Sequence, residues 1–594
     1  MSLRTAAPDR QVALCLAALA LLWCTGLFGR GYWTPDEPRE AALAASVSAH
    51  PAALPSLAGV RFAEKPPLTY WLSGGSMKLF GVHPGAARLP QLCYALLGFL
   101  AVWILARRLL GKDSAASAAA PAGAMVFATG ALVYQVQIWL DTDALLLAGV
   151  SLALAGMYAG LATANGAPSA RNARLRAYLV MHLGLTLAFF AKNFAAWLVP
   201  VLALLCFIVW ERRWRELGRW ELYLGALLPI GCIAGWAGAV AAQPDGAQTL
   251  RVLFWNNLIG RALPIAGDGP FNYSSGHANS PGKYLIELPL YLLPWTALAV
   301  PALRTAWRGA RRAGPRRSAW RFAICAALPG LLLLSLAATA RGIYAAPCMV
   351  GFSLLIALWA AETVQARVVL ATTAVLIALL ATTVLAVTLA LQWTVERASW
   401  PVLLLSVLAA VVVIVWSLRQ GFASVQTSST RVIKLAAAWC LLLSFGICSL
   451  IGAVNRSQDL AALASRIAQV AAPRPLLLWN PDETTLAWAQ LYLPAGSWSA
   501  VDDADRDVSE MLAQRLHAAP DTVVLSMIPG KGWSRVKWRE YLRGHQATTE
   551  LSMLPVSQAH REPALVVAGL VVTARVERPG GRGYFLWRAR RSEP

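Results

Sequence analysis

The sequence predicts a polytopic α-helical membrane protein with a small α/β unit at its C-terminal end. Three observations carry that prediction. The 594 residues are 57% hydrophobic and only 14% charged, with positive mean hydropathy, a composition well away from soluble domains. The apolar residues gather in runs of about 17–25, the length that crosses a bilayer as a helix. Past about Arg456 the long runs stop, and short apolar stretches alternate with segments of helical period.

About thirteen spans are expected, near residues 11–29, 90–107, 115–134, 144–163, 177–191, 194–210, 222–241, 284–303, 322–340, 345–361, 368–391, 400–417 and 435–454. Basic residues occupy every second connection: Arg4 and Arg10, then Arg107, Arg108 and Lys112, then Arg171, Arg174 and Arg176. The pattern continues with Arg212, Arg213, Arg215 and Arg219, and with the run from Arg304 to Arg321. The positive-inside rule puts these connections and the N-terminus in the cytoplasm, and an odd number of spans puts the C-terminal unit outside. The same loops, together with anionic lipid headgroups, account for the net charge of +22, so no nucleic-acid partner is expected. All nine cysteines (15, 24, 93, 206, 232, 325, 348, 440 and 448) lie in apolar runs without zinc-type spacing, which argues against disulfides. The first run has a weakly basic start and no small-residue cleavage site, and reads as an anchor that stays.

A transmembrane domain is therefore expected over residues 1–455, with outward loops at 30–89 and 243–283, and an outward α/β domain over 456–594. In the first loop, Glu40 to Ser48 and the segment after Pro67 that carries Tyr70, Trp71, Met77, Leu79 and Phe80 have the look of helices lying in the headgroup region. The second loop is rich in Gly, Asn and Ser, which suits a lid or a plain connection equally. In the C-terminal unit, 475–479, 522–526 and 565–567 read as strands, and Glu483–Leu493 and Val508–Ala518 as helices. Pro579-Gly580-Gly581 reads as a turn, not a nucleotide loop.

The chemistry is expected around Asp36, in Gly31-Tyr32-Trp33-Thr34-Pro35-Asp36-Glu37-Pro38-Arg39-Glu40. Pro35 and Pro38 are expected to exclude a regular helix through Asp36 and Glu37 and to hold them on a shaped loop. A charged loop at the mouth of a span points to a polar site. Further charges stand at the outward ends of spans: Arg39, Glu64, Lys65, Asp141, Asp143, Lys192 and Arg341, with Tyr344 and His277. Each has a plainer reading taken singly. The acids could cap helices, Arg39 and Lys192 could snorkel, and Glu64, Lys65 and His277 could be solvated loop residues. Together they suit a phosphate linked to something apolar. Arg and Lys would neutralise the phosphate, and a carboxylate would act as base or stabilise charge at an anomeric carbon.

Trp33-Thr34-Pro35-Asp36-Glu37-Pro38-Arg39, Arg61-Phe62-Ala63-Glu64-Lys65-Pro66-Pro67, Leu140-Asp141, Ala191-Lys192 and Tyr344-x-x-Pro347 occur in this order. In this the chain resembles bacterial membrane glycosyltransferases of the GT-C type, above all the lipid A aminoarabinose transferases, with the protein O-mannosyltransferases more distant. The resemblance implies a GT-C fold in the bacterial inner membrane with a periplasmic C-terminal domain. It implies an undecaprenyl-phosphate-linked sugar as donor and, as acceptor, lipid A phosphate or another glycolipid, glycan or protein hydroxyl. Asp36 and Asp141 match the catalytic aspartates. Glu37, Arg39, Lys65, Lys192, Arg261, Arg341 and Tyr344 match positions around donor phosphate and substrate. Glu64 and His277 match positions that can hold a divalent metal, Zn or Mg, and no other cofactor is implied. Three departures bear on the sugar: Glu40 stands where a tyrosine is usual, Lys192 is followed by Asn193 instead of glycine, and Arg341-Gly342-Ile343 replaces a Lys-Gly-Lys segment. A transporter or flippase for a lipid-linked substrate is the rival from another class, since the same charges could line a pathway.

Overall fold

The computed structural model describes residues 6–111, 116–163, 169–256, 280–337, 341–363, 366–394, 400–423, 427–501, 508–527, 565, 568–576 and 583–589. Among the described residues nine helices are long and apolar enough to cross a membrane, and up to eleven spans result if each of two bent pairs counts as one. At the centre stands the helix Asp143–Leu161, 94% buried along its apolar window. It is apolar on every face after Asp143, which is the pattern of a helix surrounded by protein. Trp220–Ala241 and Arg367–Gln392 bury only 22% and 28% and leave most of their apolar surface uncovered by protein.

Small residues let the central helix lie against Ala170–Lys192. A Cβ on Gly149 would stand 2.6 Å from the Ala188 backbone nitrogen, and Cβ atoms on Gly156 and Gly184 would meet the Met181 and Ala153 backbones. Such close approach is how helices adhere where no water drives them together. Gly149→Leu is expected to force the pair apart and cost about 1–3 kcal/mol, as overpacking does. A lowered thermal midpoint in detergent checks this.

Two expected spans are broken, and the two breaks meet: the Ala131 N–H donates to the Leu293 carbonyl at 2.9 Å. Residues 115–134 fall on Ala118–Thr129 and Ala131–Ile138, bent by 65° where Gly130 leaves helical geometry. Residues 284–303 fall on Lys283–Tyr291 and Thr296–Arg311, bent by 117°, and Pro294 within the break has no N–H to continue the ladder. Ala170–Lys192 ends where Asn193 takes a left-handed φ of +62°. A 3₁₀ turn, Asn193–Trp197, then leads to Leu198–Glu211.

The first loop corrects two expectations. Asp36 and Glu37 are not on an irregular loop: Asp36 takes the N-cap position of the helix Glu37–Ala49, with Pro38 in its first turn. Proline is tolerated there because the first-turn N–H groups have no intrahelical acceptor. Nor does that helix lie on lipid. Ala41, Ala42, Leu43 and Ala44 are fully buried, packed within protein. The following helix, Leu68–Phe80, buries Tyr70 and Met77 within protein and leaves Leu79 and Phe80 exposed. Between the two helices β1 (Ser56–Leu57) pairs with β2 (Val60–Arg61) through Ala58 and Gly59, both at positive φ, as a two-residue hairpin turn requires.

The C-terminal unit holds a five-stranded sheet of β3 (Leu476–Trp479), β4 (Trp498–Val501), β5 (Val523–Met527), β6 (Leu570–Val576) and β7 (Tyr584–Ala589), in the order β4-β3-β5-β7-β6. β3 runs parallel to β4 and β5, whereas β7 is antiparallel to β5 and β6. β3 and β5 match the expected strands, and the helices Glu483–Tyr492 and Val508–Ala518 match the expected helices. Of the strand expected at 565–567, residues 566 and 567 lie outside the described residues. Leu565 is not in a strand, and β6 begins at Leu570, after Gly569 at φ +76°. Side chains alternate along β3. Leu477 and Trp479 pack with Leu512, Phe585 and Trp587 on one face. Leu476 and Leu478 join a core on the other face that also contains Leu43, Val47, Phe62 and Tyr70 of the first loop. One apolar core thus welds the first loop to the C-terminal unit.

Candidate active site

The site is built on a buried staple. Glu37 is completely enclosed; Arg30 donates to it from both Nη1 (2.7 Å) and Nη2 (2.9 Å), and Arg88 from Nη2 (2.7 Å) and Nε (3.1 Å). The backbone N–H groups of Trp33 (2.8 Å) and Leu140 (2.9 Å) donate to the same carboxylate. Burial alone would raise the Glu37 pKa, but Arg88 and Arg30 outweigh it and hold it below the usual range. The expectation that Glu37 meets substrate is therefore corrected: its oxygens are consumed in fixing the segment 30–37 to the segment that carries Asp141.

Asp36, one residue away, faces the opposite way. Its carboxylate accepts from Arg341 Nη2 at 3.2 Å and stands 3.5 Å from Arg39 Nη2. Beyond Arg39 the charges alternate. Glu40 accepts from Arg39 Nη2 at 2.8 Å and from Lys65 Nζ at 3.0 Å, and Lys65 also donates to Asp141 at 2.7 Å. Glu64 lies 3.8 Å from Arg39 Nη1, and Glu483 of the C-terminal unit accepts from the same nitrogen at 2.6 Å. Asp143 and Lys192 pair at 2.5 Å, with the ammonium 5.1 Å from the centre of the Tyr344 ring. The Tyr284 hydroxyl donates to the Arg341 carbonyl. Asp36, Arg39, Glu64, Lys65, Asp141, Lys192, Arg341 and Tyr344, spread over three hundred residues of sequence, thus lie in one cluster. Arg261 and His277 lie outside the described residues.

The position of these groups on their helices defines the face. Asp36 follows the first helix, Asp141 and Asp143 open Asp143–Leu161, Lys192 closes Ala170–Lys192, and Arg341 precedes Met349–Glu362. All are at one end of the bundle. The opposite end carries separate pairs, Arg174 with Glu221 and Arg321 with Glu211. Three members of the cluster had no assigned role in the sequence. Glu40 stood out only as a departure from the family pattern, Asp143 was among the conspicuous charges but Asp141 was the catalytic match, and nothing in the sequence linked Glu483 to the first loop.

Electrostatics keep Lys65 and Asp141 ionised, whereas burial raises the Glu40 carboxyl above the usual range in spite of Lys65 and Arg39. Burial opposes charge on Lys65, but Asp141 and Glu40 more than offset it and raise its pKa well above the ordinary value. Burial likewise disfavours the Asp141 carboxylate, and Lys65 and Lys192 overcome this and lower its pKa. Stability from a depressed acid is present above its unfolded value of about 3.9 and is lost as pH falls through the folded one. Stability from a raised lysine is present below about 10.4 and is lost as pH rises through the folded value. Thermal midpoints in detergent should therefore be insensitive to this pair between about pH 5 and 9. Lys65→Met leaves Asp141 and Glu40 buried without their cation, so their pKa values rise and stability should fall as pH increases over that interval. A midpoint of the variant that stays flat with pH would contradict this.

Among the described residues no three His, Cys, Asp or Glu side chains gather to hold a metal. Glu64, the one described member of the expected pair, faces Arg39.

Comparison with known proteins bears on this arrangement. A family model for dolichyl-phosphate-mannose-protein mannosyltransferases matches residues 64–237, a stretch that contains Glu64, Lys65, Asp141, Asp143 and Lys192. The chain is 31% identical over 350 residues to an undecaprenyl phosphate-alpha-4-amino-4-deoxy-L-arabinose arabinosyl transferase of Pseudomonas aeruginosa strain UCBPP-PA14. It is 30% identical over 349 residues to the protein of that name from Edwardsiella ictaluri. Each match covers 58% of this chain and 58% of the relative, less than two thirds of its length. Among solved structures, ArnT from Cupriavidus metallidurans bound to undecaprenyl phosphate superposes with a TM-score of 0.70 over 97% of both chains, at 17% identity. The chain therefore has the ArnT fold.

Proposed function

We propose that this chain is an inverting glycosyltransferase of the GT-C type that moves a sugar from undecaprenyl phosphate to an acceptor at the outer face of the inner membrane. The observation that carries the reading is the placement of the charges. Asp36, Arg39, Lys65, Asp141, Lys192 and Arg341 share one end of the bundle, while the central helix has no charged residue from Ala144 to Leu161. A transporter pathway needs polar groups on both sides of the midplane; a site for a lipid-linked phosphate needs them at one side. The relatives' names supply the sugar class, an amino-deoxy pentose, and lipid A phosphate is the acceptor we favour over other glycolipids, glycans or protein hydroxyls.

Thirteen spans follow if the helix Gln11–Leu27 is added to the eleven and Ala170–Glu211 is divided at Asn193. This topology leaves the N-terminus cytoplasmic and the unit from residue 456 periplasmic. The acceptor oxygen bonds to the anomeric carbon as the bond from that carbon to the donor phosphate breaks, and the bonding pair leaves with the phosphate. Arg39, Lys65, Arg341 and Arg261 take up the charge of the departing phosphate, with Lys192 and Tyr344 bordering the sugar. Asp36 accepts the proton of a hydroxyl acceptor; an ionised phosphate acceptor brings none, and Asp36 then orients it. At 17% side-chain exposure Asp36 is more open than Glu40, Glu64, Asp141 or Asp143, which lie between 2% and 11%. Asp141 holds Lys65 in place from behind. A divalent metal on Glu64 and His277 is a separate proposal, tested by metal analysis of the purified protein; no step is routed through it.

Lipid mass spectrometry of cells carrying wild-type protein or Asp36→Ala tests the reading. Loss of an amino-pentose from lipid A with accumulation of the charged donor is expected. Donor accumulation with unaltered lipid A would move the acceptor elsewhere, and no change in either pool would refute the proposal.

A further inference from the structure

The most exposed carboxylate of the cluster comes from the part of the chain farthest away in sequence. Glu483 opens the helix Glu483–Tyr492, whose N-cap Asp482 accepts from Thr485. That helix is seated firmly on the first loop. Gln490 donates to the Ala42 carbonyl at 2.8 Å and accepts from Ala58 N–H at 2.7 Å, and Thr484 reaches the Pro35 carbonyl at 3.5 Å. Leu486, Ala487 and Trp488 lie in the same apolar core as Leu43 and Phe62. The register of Glu483 over Arg39 is therefore fixed by packing.

The Arg39 guanidinium is a planar fork held along two edges. Nε and Nη2 face Glu40 Oε1 at 3.2 and 2.8 Å, and Nη1 faces Glu483 Oε2 at 2.6 Å. The contact with Glu483 is the shortest that Arg39 makes and that with Asp36, at 3.5 Å, is among the longest. A rigid fork anchored at both edges cannot turn to grip Asp36 in the two-pronged geometry that arginine and carboxylate otherwise prefer. We propose that Glu483 is a positioning residue: by holding Nη1 it keeps Arg39 from closing on Asp36, and so makes the C-terminal unit a working part of the site. The inference rests on the proposed role of Asp36 in sugar transfer.

Without Glu483 the guanidinium keeps Glu40 and only the longer 3.8 Å contact of Nη1 with Glu64, so the fork can turn onto Asp36 and add a second cation to the one Arg341 already supplies at 3.2 Å. Full-length purified Glu483→Gln is expected to keep its donor KM within about twofold while kcat falls about tenfold, because a paired carboxylate is a weaker base. Glu483→Asp keeps the charge but is one methylene shorter and should fall between. In an Arg39→Lys background, which has no fork, adding Glu483→Gln should change kcat less than about twofold. An unchanged kcat in Glu483→Gln, or an equal effect of Glu483→Gln with and without the Arg39→Lys substitution, would overturn the positioning role while the wild-type activity still upheld the proposed reaction. Wild-type protein that transfers no sugar from a polyprenyl-phosphate donor would remove the reaction and this inference together.

Discussion

Purified Asp36→Asn protein is expected to transfer sugar to a hydroxyl acceptor roughly 10²–10⁴-fold more slowly than wild type, the range usual for loss of a positioned general base. The loss should fall on kcat. Asn keeps the shape of the side chain, and in the proposed site the donor phosphate is held by Arg39, Lys65 and Arg341 instead. With an ionised phosphate acceptor the loss should be smaller, because that oxygen is already nucleophilic. Comparing the two acceptors on one preparation separates proton removal from orientation. Equal loss on both would make Asp36 an organiser only, and full activity on both would remove it from the chemistry. The variant should fold normally, because the Asp36 contacts are long (3.2 and 3.5 Å) and partly open to solvent.

Glu37→Ala should do the reverse and damage the fold before the chemistry. Arg30 and Arg88 would be left facing each other without the carboxylate between them, in a place where all three side chains are fully enclosed. Breaking a buried pair by removing one partner costs about 3–5 kcal/mol. The backbone N–H groups of Trp33 and Leu140 lose their acceptor as well. A much lower thermal midpoint in detergent is expected, with little folded protein at about 37 °C. Glu37→Gln should recover only part of this, since its amide nitrogen would point a donor at donors. A wild-type midpoint for Glu37→Ala would show that the staple does not hold the first loop. Asp36 and Glu37 are adjacent acids in sequence, yet the first is read through activity and the second through stability.

The helix and strand pattern was legible for simple reasons. A run of about twenty apolar residues has few choices but to cross a membrane as a helix, and the change of composition past Arg456 marks where that constraint ends. Candidate site residues were legible because charge at the mouth of an apolar helix is costly and so conspicuous. Asp36, Arg39, Lys65, Asp141, Lys192 and Arg341 stood out in that way, and the structure brings them together. The strand at Leu570–Val576 went unread because the apolar run 565–567 drew the assignment, and only the turn at Gly569 marks where β6 begins. The first-loop helix was misread because proline in a first turn and proline in a loop look alike until the cap is seen.

By itself the sequence determined the membrane architecture, the C-terminal α/β unit and a set of charges at one end of the bundle. It did so because hydropathy and the expense of buried charge act locally along the chain. Only the tertiary structure decided the partners. It assigned Glu37 to Arg30 and Arg88, Lys65 to Glu40 and Asp141, and Glu483 to Arg39 across 444 positions. Whether a buried carboxylate staples, holds or reacts depends on which cations surround it, and those are chosen by helix packing.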